Sequence, residues 1–276
     1  MLDNHLLDVE KPARYMGMEM GSIIKHDVNF RFVLAFPDVY EVGMSHLGIK
    51  ILYAVLNQVP WIAAERVFAP WPDMEEMLRR EALPLCSLET ATPLSAAQIV
   101  GFTLQYELSY TNILNMLELG GIPVRASDRS DSDPLVIGGG PCCSNPEPLA
   151  EFFDAFLLGD GEEAVLEIAD TVRQARNEGV PRRELLARLT LIEGVYVPSL
   201  FEVSYSADGR IGMVRPLREG YGPVRRRFVS DLGDAQFPVE PVIPFMKTVH
   251  DRVSIEIARG CTRGCRFCQA GYIYRP

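Results

Sequence analysis

The sequence predicts an α/β protein with an open, parallel, Rossmann-like sheet, followed by a short region that ends in a cysteine-rich loop. Between residues 30 and 178, short apolar runs rich in strand formers alternate with helical stretches of about 10 to 15 residues, which is typical of a parallel sheet. Near the other end of the chain, three of the six cysteines lie within eight residues, which suggests a metal site and not a disulfide framework.

Composition limits the classes of protein that fit the sequence. The 276 residues are 47% hydrophobic and 23% charged, which is ordinary globular composition and enough for roughly two domains. Twenty-seven Lys and Arg stand against 37 Asp and Glu, and a net charge of −10 argues against a broadly basic nucleic-acid surface. We expect a soluble, cytoplasmic protein. No secretory signal is visible, and Pro93 interrupts the longest uncharged stretch that could be taken for a membrane span.

The βα units follow one another in order. A strand in RFVLAF begins near Phe30 and is ended by Pro37, before a helix at about 45–57. The later predicted strands are 66–68, 99–103, 134–140 and 155–158, and the later helices are 73–81, 108–119 and a helix from the GDG turn to about 177. Right-handed crossovers would place the ligand-binding loops at the carboxyl ends of these strands.

After Gly179 the pattern changes. We expect a helix at 182–189 and a hairpin around Asp208-Gly209, then a proline-rich linker and a last strand at 252–259. The linker contains three arginines at 225–227, which fit either a solvated charged surface or a phosphate contact. The predicted regions are a lead-in at 1–27, the α/β domain at 28–178, a connecting region at 179–248 and the start of a second domain at 249–276.

The spacing of Cys261, Cys265 and Cys268 is C-x-x-x-C-x-x-C. Three thiolates on one loop can face a single point, and soft sulfur ligands select iron–sulfur clusters or zinc. A structural zinc site normally has four ligands, but His250 would be separated from the cysteines by a strand of about 25 Å. Three ligands on a four-iron cluster leave one iron open to a small molecule.

This stretch, IEIARGCTRGCRFCQAG, resembles the signature of the radical S-adenosylmethionine (radical SAM) superfamily. The resemblance implies that Cys261, Cys265 and Cys268 bind a [4Fe-4S] cluster whose open iron chelates SAM, so that an electron cleaves SAM to a 5′-deoxyadenosyl radical. It also implies an external electron donor such as flavodoxin or ferredoxin. By the same resemblance Phe267 lies beside the adenine of SAM, although simple packing explains this residue equally well.

The first domain resembles a cobalamin-binding domain of the kind found ahead of radical SAM barrels. The matching segments are FPDVYEVGMSHLGIKILYAVLN, VGFTLQYELSYTNILNML, VIGGGPCCSNPEPL and LLGDGEEAVLEI. Over residues 28–276 the chain thus resembles the N-terminal portion of an uncharacterised family of radical SAM proteins with a B12-binding-type domain. The resemblance implies that the chain ends just after the first strand of a truncated (β/α) barrel.

One departure from that pattern concerns the cobalt ligand. Cobalamin domains use D-x-H-x-x-G, whereas the matching frame here has Asp38, Tyr40 and Gly43. A tyrosine hydroxyl with an ordinary pKa of about 10 is a poor cobalt ligand at neutral pH. Either cobalamin binds without a protein ligand to cobalt, or the domain has lost the cofactor. His46 fits a capping or packing role better than a substitute ligand.

The glycines Gly138, Gly139 and Gly140 follow an apolar strand. Together with Asp38, Tyr40 and Gly43 they make up the predicted cobalamin-type pocket. Glycines there allow a backbone to approach a nucleotide tail closely, and a plain tight turn explains them almost as well. Cys142 and Cys143 lack a C-x-x-C partner and fit small loop residues.

The predicted function is that of a radical SAM enzyme with an unknown substrate, acting in methyl transfer if cobalamin is bound. Only eight residues follow Cys268, so we expect the chain by itself to be inactive. The alternative is a non-catalytic metal-binding or nucleotide-binding module with a structural zinc or iron–sulfur site.

Overall fold

Six strands form one sheet in the computed structural model, which describes residues 5–233 and 235–273. In chain order they are β1 (Phe30–Phe36), β2 (Ile62–Phe68), β3 (Ile99–Thr103), β4 (Leu135–Gly139), β5 (Ala155–Leu157) and β6 (Val195–Tyr196). Their spatial order is β2-β1-β3-β4-β5-β6, and all neighbours pair in parallel except β5 and β6, which are antiparallel. The predicted parallel α/β sheet is therefore confirmed for β1 to β5, and the antiparallel strand β6 is an addition to it.

Helices cover both faces of this sheet. The helices of the described residues are α1 (Tyr40–Gly43), α2 (Leu47–Gln58), α3 (Pro72–Arg80), α4 (Tyr110–Leu119), α5 (Ala164–Glu178), α6 (Arg182–Leu189) and α7 (Ala270–Ile273), of which α2 to α6 provide the main covering of the sheet. Alternate residues of β1 contribute to two separate cores, one shared with α2, α5 and α6 and the other with α3 and α4. Burial on both faces explains why this strand is an almost unbroken apolar run. None of the helices in the described part is long and apolar enough to cross a membrane.

The strand order places a topological switch point between β1 and β3. The chain moves from β1 outward to β2, then crosses back over β1 to β3 and continues to β4 and β5. This 2-1-3-4-5 order is the flavodoxin-like arrangement of a doubly wound sheet, in which ligands bind beyond the carboxyl ends of the strands at the switch point. The site should therefore be sought where β1 and β3 end.

Most of the predicted elements are present, within a few residues of their predicted ends. The hairpin is confirmed as β7 (Phe201–Tyr205) and β8 (Ile211–Pro216), with Gly209 in the left-handed region at φ 79°. Strand β6 was not predicted, because two residues give no readable pattern. Helix α6 packs against α5, and β6 extends the sheet, so the α/β core continues beyond residue 178.

The predicted strand at 252–259 is wrong. The structure has no strand there, and Val253, Ile255 and Ile257 are 87%, 72% and 90% exposed. A strand requires hydrogen bonds to a neighbouring strand, and within residues 5–233 and 235–273 no other segment pairs with this one. The alternation of apolar residues reports only a propensity for extended structure. A strand also needs a neighbouring strand to pair with.

A buried charged cluster joins the beginning of the chain to the sheet. Arg66 in β2 is 2% exposed and donates hydrogen bonds to Glu19 Oε2 at 2.8 Å and to Glu89 Oε1 at 2.6 Å. The hydroxyl of Tyr40 donates to Glu19 Oε1 at 3.0 Å. Since buried charges are costly unless they are paired and hydrogen-bonded, these contacts anchor the segment around residue 19 on the core.

Candidate functional site

A cavity of about 420 Å³ lies beyond the carboxyl ends of the strands, at the switch point. Its walls come from the carboxyl-end portions of β1, β3, β4 and β5, from the turn after β5, from the first half of α2, and from Glu256, Ala258, Arg259 and Gly260. Aliphatic side chains and glycines make up most of this lining. An apolar pocket of this size with a few polar groups is typical of a small-molecule or cofactor site.

Two glycines shape the rim of the cavity. Gly140 has φ 104°, and a Cβ there would lie 2.8 Å from the backbone oxygen of Leu104. Gly159 has φ 110°, and a Cβ there would lie 1.9 Å from the backbone oxygen of Arg227. Only glycine tolerates both the dihedral angle and the close approach at these positions. By contrast, a Cβ on Gly139 would meet nothing within 4 Å, so this position opens into free space.

His46 supplies one of the polar groups of the cavity wall. Its Nδ1 accepts a hydrogen bond from the backbone N–H of Ile49 at 3.4 Å and caps the N-terminus of α2, which confirms the predicted capping role. Burial lowers the pKa of His46 below its ordinary value, and a hydrogen bond to Gln105 opposes that shift. The ring is therefore neutral at physiological pH, with its proton on Nε2 because Nδ1 acts as an acceptor.

An acidic turn and one arginine form the other polar part of the wall. Glu162, in the turn after β5, accepts a hydrogen bond from Nη2 of Arg259, and both residues line the cavity. Arg259 Nη1 lies 3.3 Å from Asp160 Oδ2, and its Nε donates to Glu256 Oε1 at 2.8 Å. The hydrogen bond to Glu256, together with Glu162 and Asp160, raises the pKa of Arg259 against the lowering effect of burial. The guanidinium is permanently charged.

The cysteine loop begins where this wall ends. Cys261 follows Gly260, the last lining residue of the cavity, and the backbone N–H of Cys268 donates to the carbonyl of Cys265 at 3.1 Å. All three thiols are free, and Cys265 is exposed. The donor set fits an iron–sulfur cluster by its chemistry, since three soft ligands lie on one short loop. In the described residues no three His, Cys, Asp or Glu side chains converge as they do around a bound metal.

The predicted pocket residues divide into two groups. Gly138, Gly139 and Gly140 line the cavity. The lining does not include the other three: Tyr40 is 1% exposed within the core, Asp38 accepts a hydrogen bond from the N–H of the next residue, and Gly43 packs beneath aromatic rings. A direct role for Asp38, Tyr40 and Gly43 in binding stays a prediction.

The other predicted residues lie on surfaces or in the second core. Phe267 is 93% exposed, so its contact with an adenine stays a prediction. Cys142 and Cys143 are buried in a short helical turn after β4, where burial raises the pKa of both thiols. His250 donates its backbone N–H to Ser45 Oγ at 3.0 Å. None of these residues contributes to the cavity wall.

Sequence reasoning missed two features of the site. It assigned no ligand-facing role to Gln105 or Thr103, whose side chains hydrogen-bond to each other at 2.6 Å on the cavity wall. It also did not pair Glu162 with Arg259, which are 97 residues apart in the chain. The available signal was the GDGEE sequence after β5, whose three neighbouring carboxylates favour a cationic partner nearby.

The fold and the cavity define a doubly wound α/β domain with a pocket at its switch point, bordered by a cysteine loop. A family model described as "Radical SAM proteins, N-terminal" matches residues 48–198, which is more than half of the chain. The chain belongs to this family of radical SAM proteins.

Two individual proteins are also similar to the chain. An uncharacterized protein of Methanocaldococcus jannaschii is 25% identical over 244 residues, which are 88% of this chain and 41% of the relative. The chain thus spans less than half the length of that relative. The radical SAM methyltransferase TsrM of Kitasatospora setae, solved with tryptophan and a SAM analogue, is 16% identical with a TM-score of 0.37. That match covers 65% of this chain and 29% of TsrM.

Proposed function

We propose that this chain provides the cofactor pocket and the cluster-binding loop of a radical SAM enzyme. Cys261, Cys265 and Cys268 would hold a [4Fe-4S] cluster, which supplies reductive cleavage of SAM when it is bound and reduced. The proposal rests on membership of the radical SAM family together with the three-cysteine spacing.

One structural observation supports the proposal most strongly. Glu256, Ala258, Arg259 and Gly260 line the same cavity as the carboxyl ends of β1, β3 and β4, and Cys261 is the next residue. A molecule in the cavity and a cofactor on the loop would therefore be neighbours. Such proximity is what a reaction between two bound cofactors requires, because effective concentration replaces diffusion.

We further propose that the cavity accepts the nucleotide tail of a cobalamin. The flavodoxin-like strand order, the apolar lining and the free space above Gly139 support this ligand class. No protein side chain would coordinate cobalt: Tyr40 is committed to Glu19, and His46 to the cap of α2. The chain would contribute the shape of the pocket and exclude water from it.

The decisive experiment is anaerobic reconstitution of the protein at its full natural length. About four irons per chain and a brown colour are expected, with a change in the electron paramagnetic resonance signal of the reduced cluster on adding SAM. Hydroxocobalamin, titrated separately, should bind with a shift in its visible spectrum. A colourless protein that binds zinc and ignores SAM would instead identify a structural metal module.

A further inference from the structure

The segment that leads into the cysteine loop is held by side chains. Among the described residues, no backbone-to-backbone hydrogen bond involves residues 253–264. Arg259 lies in the middle of this segment and is 23% exposed at its side chain. Its guanidinium contacts three carboxylates at once: Nε and Nη2 donate to Glu256 at 2.8 Å each, Nη1 lies near Asp160, and Nη2 donates to Glu162.

The acidic turn that receives Arg259 is itself held by residues 227–229. The backbone N–H of Asp160 donates to the carbonyl of Arg227 at 3.0 Å, and Asp160 Oδ2 accepts from the N–H of Val229 at 2.9 Å. The Arg227 side chain continues the contact, donating to Glu163 and Glu167 at 2.6 and 2.7 Å. The backbone of the turn and the Asp160 carboxylate are thus held independently of Arg259, which lowers the entropy lost when the arginine binds there.

Only Gly260 separates Arg259 from Cys261. Its φ of 92° turns the chain sharply into the loop, so the position of the guanidinium determines where the loop begins. The first cysteine is therefore fixed relative to the cavity by an ionic contact across 97 residues, between Arg259 and Glu162.

We infer that Arg259 is a positioning residue, which holds the start of the cysteine loop at the mouth of the cavity through Asp160 and Glu162. This inference rests on the proposed function for its catalytic consequence, because only a bound cluster makes the loop position matter to a reaction. Its structural content, the docking of residue 259 on the acidic turn, is independent of any cofactor.

The docking is tested first on the protein without cofactors. In the Arg259→Lys variant, a carbodiimide converts a carboxylate of the acidic turn into an O-acylisourea. The lysine amine at position 259 then attacks this activated ester, so that an amide forms and the urea leaves. Tryptic peptides that join position 259 to Asp160 or Glu162 are expected by mass spectrometry. The control is Arg252→Lys, just before this segment, whose native side chain hydrogen-bonds to His250 and not to the acidic turn. The docking would be overturned if both variants cross-linked to the acidic turn with equal yield. It would also be overturned if neither variant cross-linked to that turn.

The positioning role is tested on the reconstituted full-length protein. Arg259→Gln removes the charge and leaves three carboxylates to repel one another, while the three thiols are untouched. We expect iron loading of about four per chain as in the wild type, but a fall of roughly tenfold or more in the rate of 5′-deoxyadenosine formation. Arg259→Lys should recover part of that rate, because it restores one positive charge without the guanidinium fork.

The outcomes separate the two proposals. A wild-type protein that binds no iron defeats the proposed function and leaves the cross-linking result standing. If the wild type is active and Arg259→Gln matches its rate, the positioning role is wrong. A double variant with Glu162→Gln should be no slower than Arg259→Gln alone, whereas additive losses would mean that the two residues act separately.

Discussion

The hydroxyl of Tyr40 donates a hydrogen bond to Glu19 Oε1 over 3.0 Å, inside the core. Burial is the main cause that raises the pKa of Tyr40 well above its ordinary value, and the negative charge of Glu19 raises it further. This side chain is thus a neutral donor in a structural network, at the position that the sequence resemblance matches with the cobalt ligand of cobalamin domains.

Tyr40→Phe should therefore lower stability and leave any cobalt spectrum unchanged. Loss of a buried hydrogen bond to a charged acceptor costs about 1–2 kcal/mol, since Glu19 keeps its contacts with Arg66. Denaturant unfolding measures this cost, and Tyr205→Phe, at a 65% exposed hairpin residue, is the control. A shifted spectrum of bound hydroxocobalamin in Tyr40→Phe would place the tyrosine at the cobalt after all.

Cys265→Ala should abolish iron binding upon anaerobic reconstitution. Two remaining thiolates cannot hold a four-iron cluster against exchange. The matched control is Cys86→Ala, because Cys86 is also a free, partly exposed cysteine but lies outside the loop, with Sγ 3.3 Å from the carbonyl oxygen of Pro84. Iron analysis distinguishes the two variants. Wild-type iron content in Cys265→Ala would eliminate the cluster assignment.

Gly139→Leu should block the cavity at little cost in stability. A Cβ at this position meets nothing within 4 Å, so the larger side chain extends into the free space that a ligand would occupy. We expect hydroxocobalamin binding to weaken by at least about tenfold, measured by visible spectroscopy. Gly222→Leu, also unobstructed but remote from the cavity, should bind as the wild type does. If Gly139→Leu bound hydroxocobalamin as tightly as the wild type, the ligand would have to bind outside this cavity.

His46 should make the folded state less stable as the pH falls below about 6.5. Burial lowers the pKa of His46 from its ordinary value of 6.5, so below that pH the unfolded chain binds more protons than the folded one. Stability is therefore fully present above pH 6.5 and declines as the pH falls through the window down to the folded pKa.

The measurement compares unfolding free energies at about pH 7.5 and about pH 5.5, and the histidine should make the protein less stable at the lower pH. His46→Asn keeps an N-cap acceptor for α2 but cannot titrate, so this variant should lose less stability between the two pH values. An identical loss in both proteins would show that the ring is not buried in neutral form.

The sheet was predictable because its strands are buried on both faces. Strands β1 and β3 are nearly continuous apolar runs, and the proline after β1 and the helical stretch after β3 mark their ends. Strand β6 was not predictable, since two residues carry no period. The failure at 252–259 has a different cause: local composition reports the propensity for a strand, and pairing depends on residues distant in the chain.

The site was predictable only where its residues lie at the end of a strand. Gly138–Gly140 were identified by their position at the end of an apolar run, and they do line the cavity: Gly138 and Gly139 end β4, and Gly140 follows it. Glu162 was recognised as part of the GDGEE segment, but its pairing with Arg259 was not predictable, because the fold alone brings these two distant residues together. The roles of His46 and Gln105 in the wall likewise depend on how α2 and the loop after β3 meet.

Arg66 has consequences for how the protein opens. Its two carboxylate partners lie 47 residues before it and 23 residues after it, and all three groups are almost without contact to water. Detaching the segment around Glu19 would leave the buried positive charge of Arg66 with only the carboxylate of Glu89 as a partner, at a cost of several kcal/mol. The segment near residue 19 should therefore exchange its amide hydrogens together with β2, as part of one cooperative unit, and not fray independently.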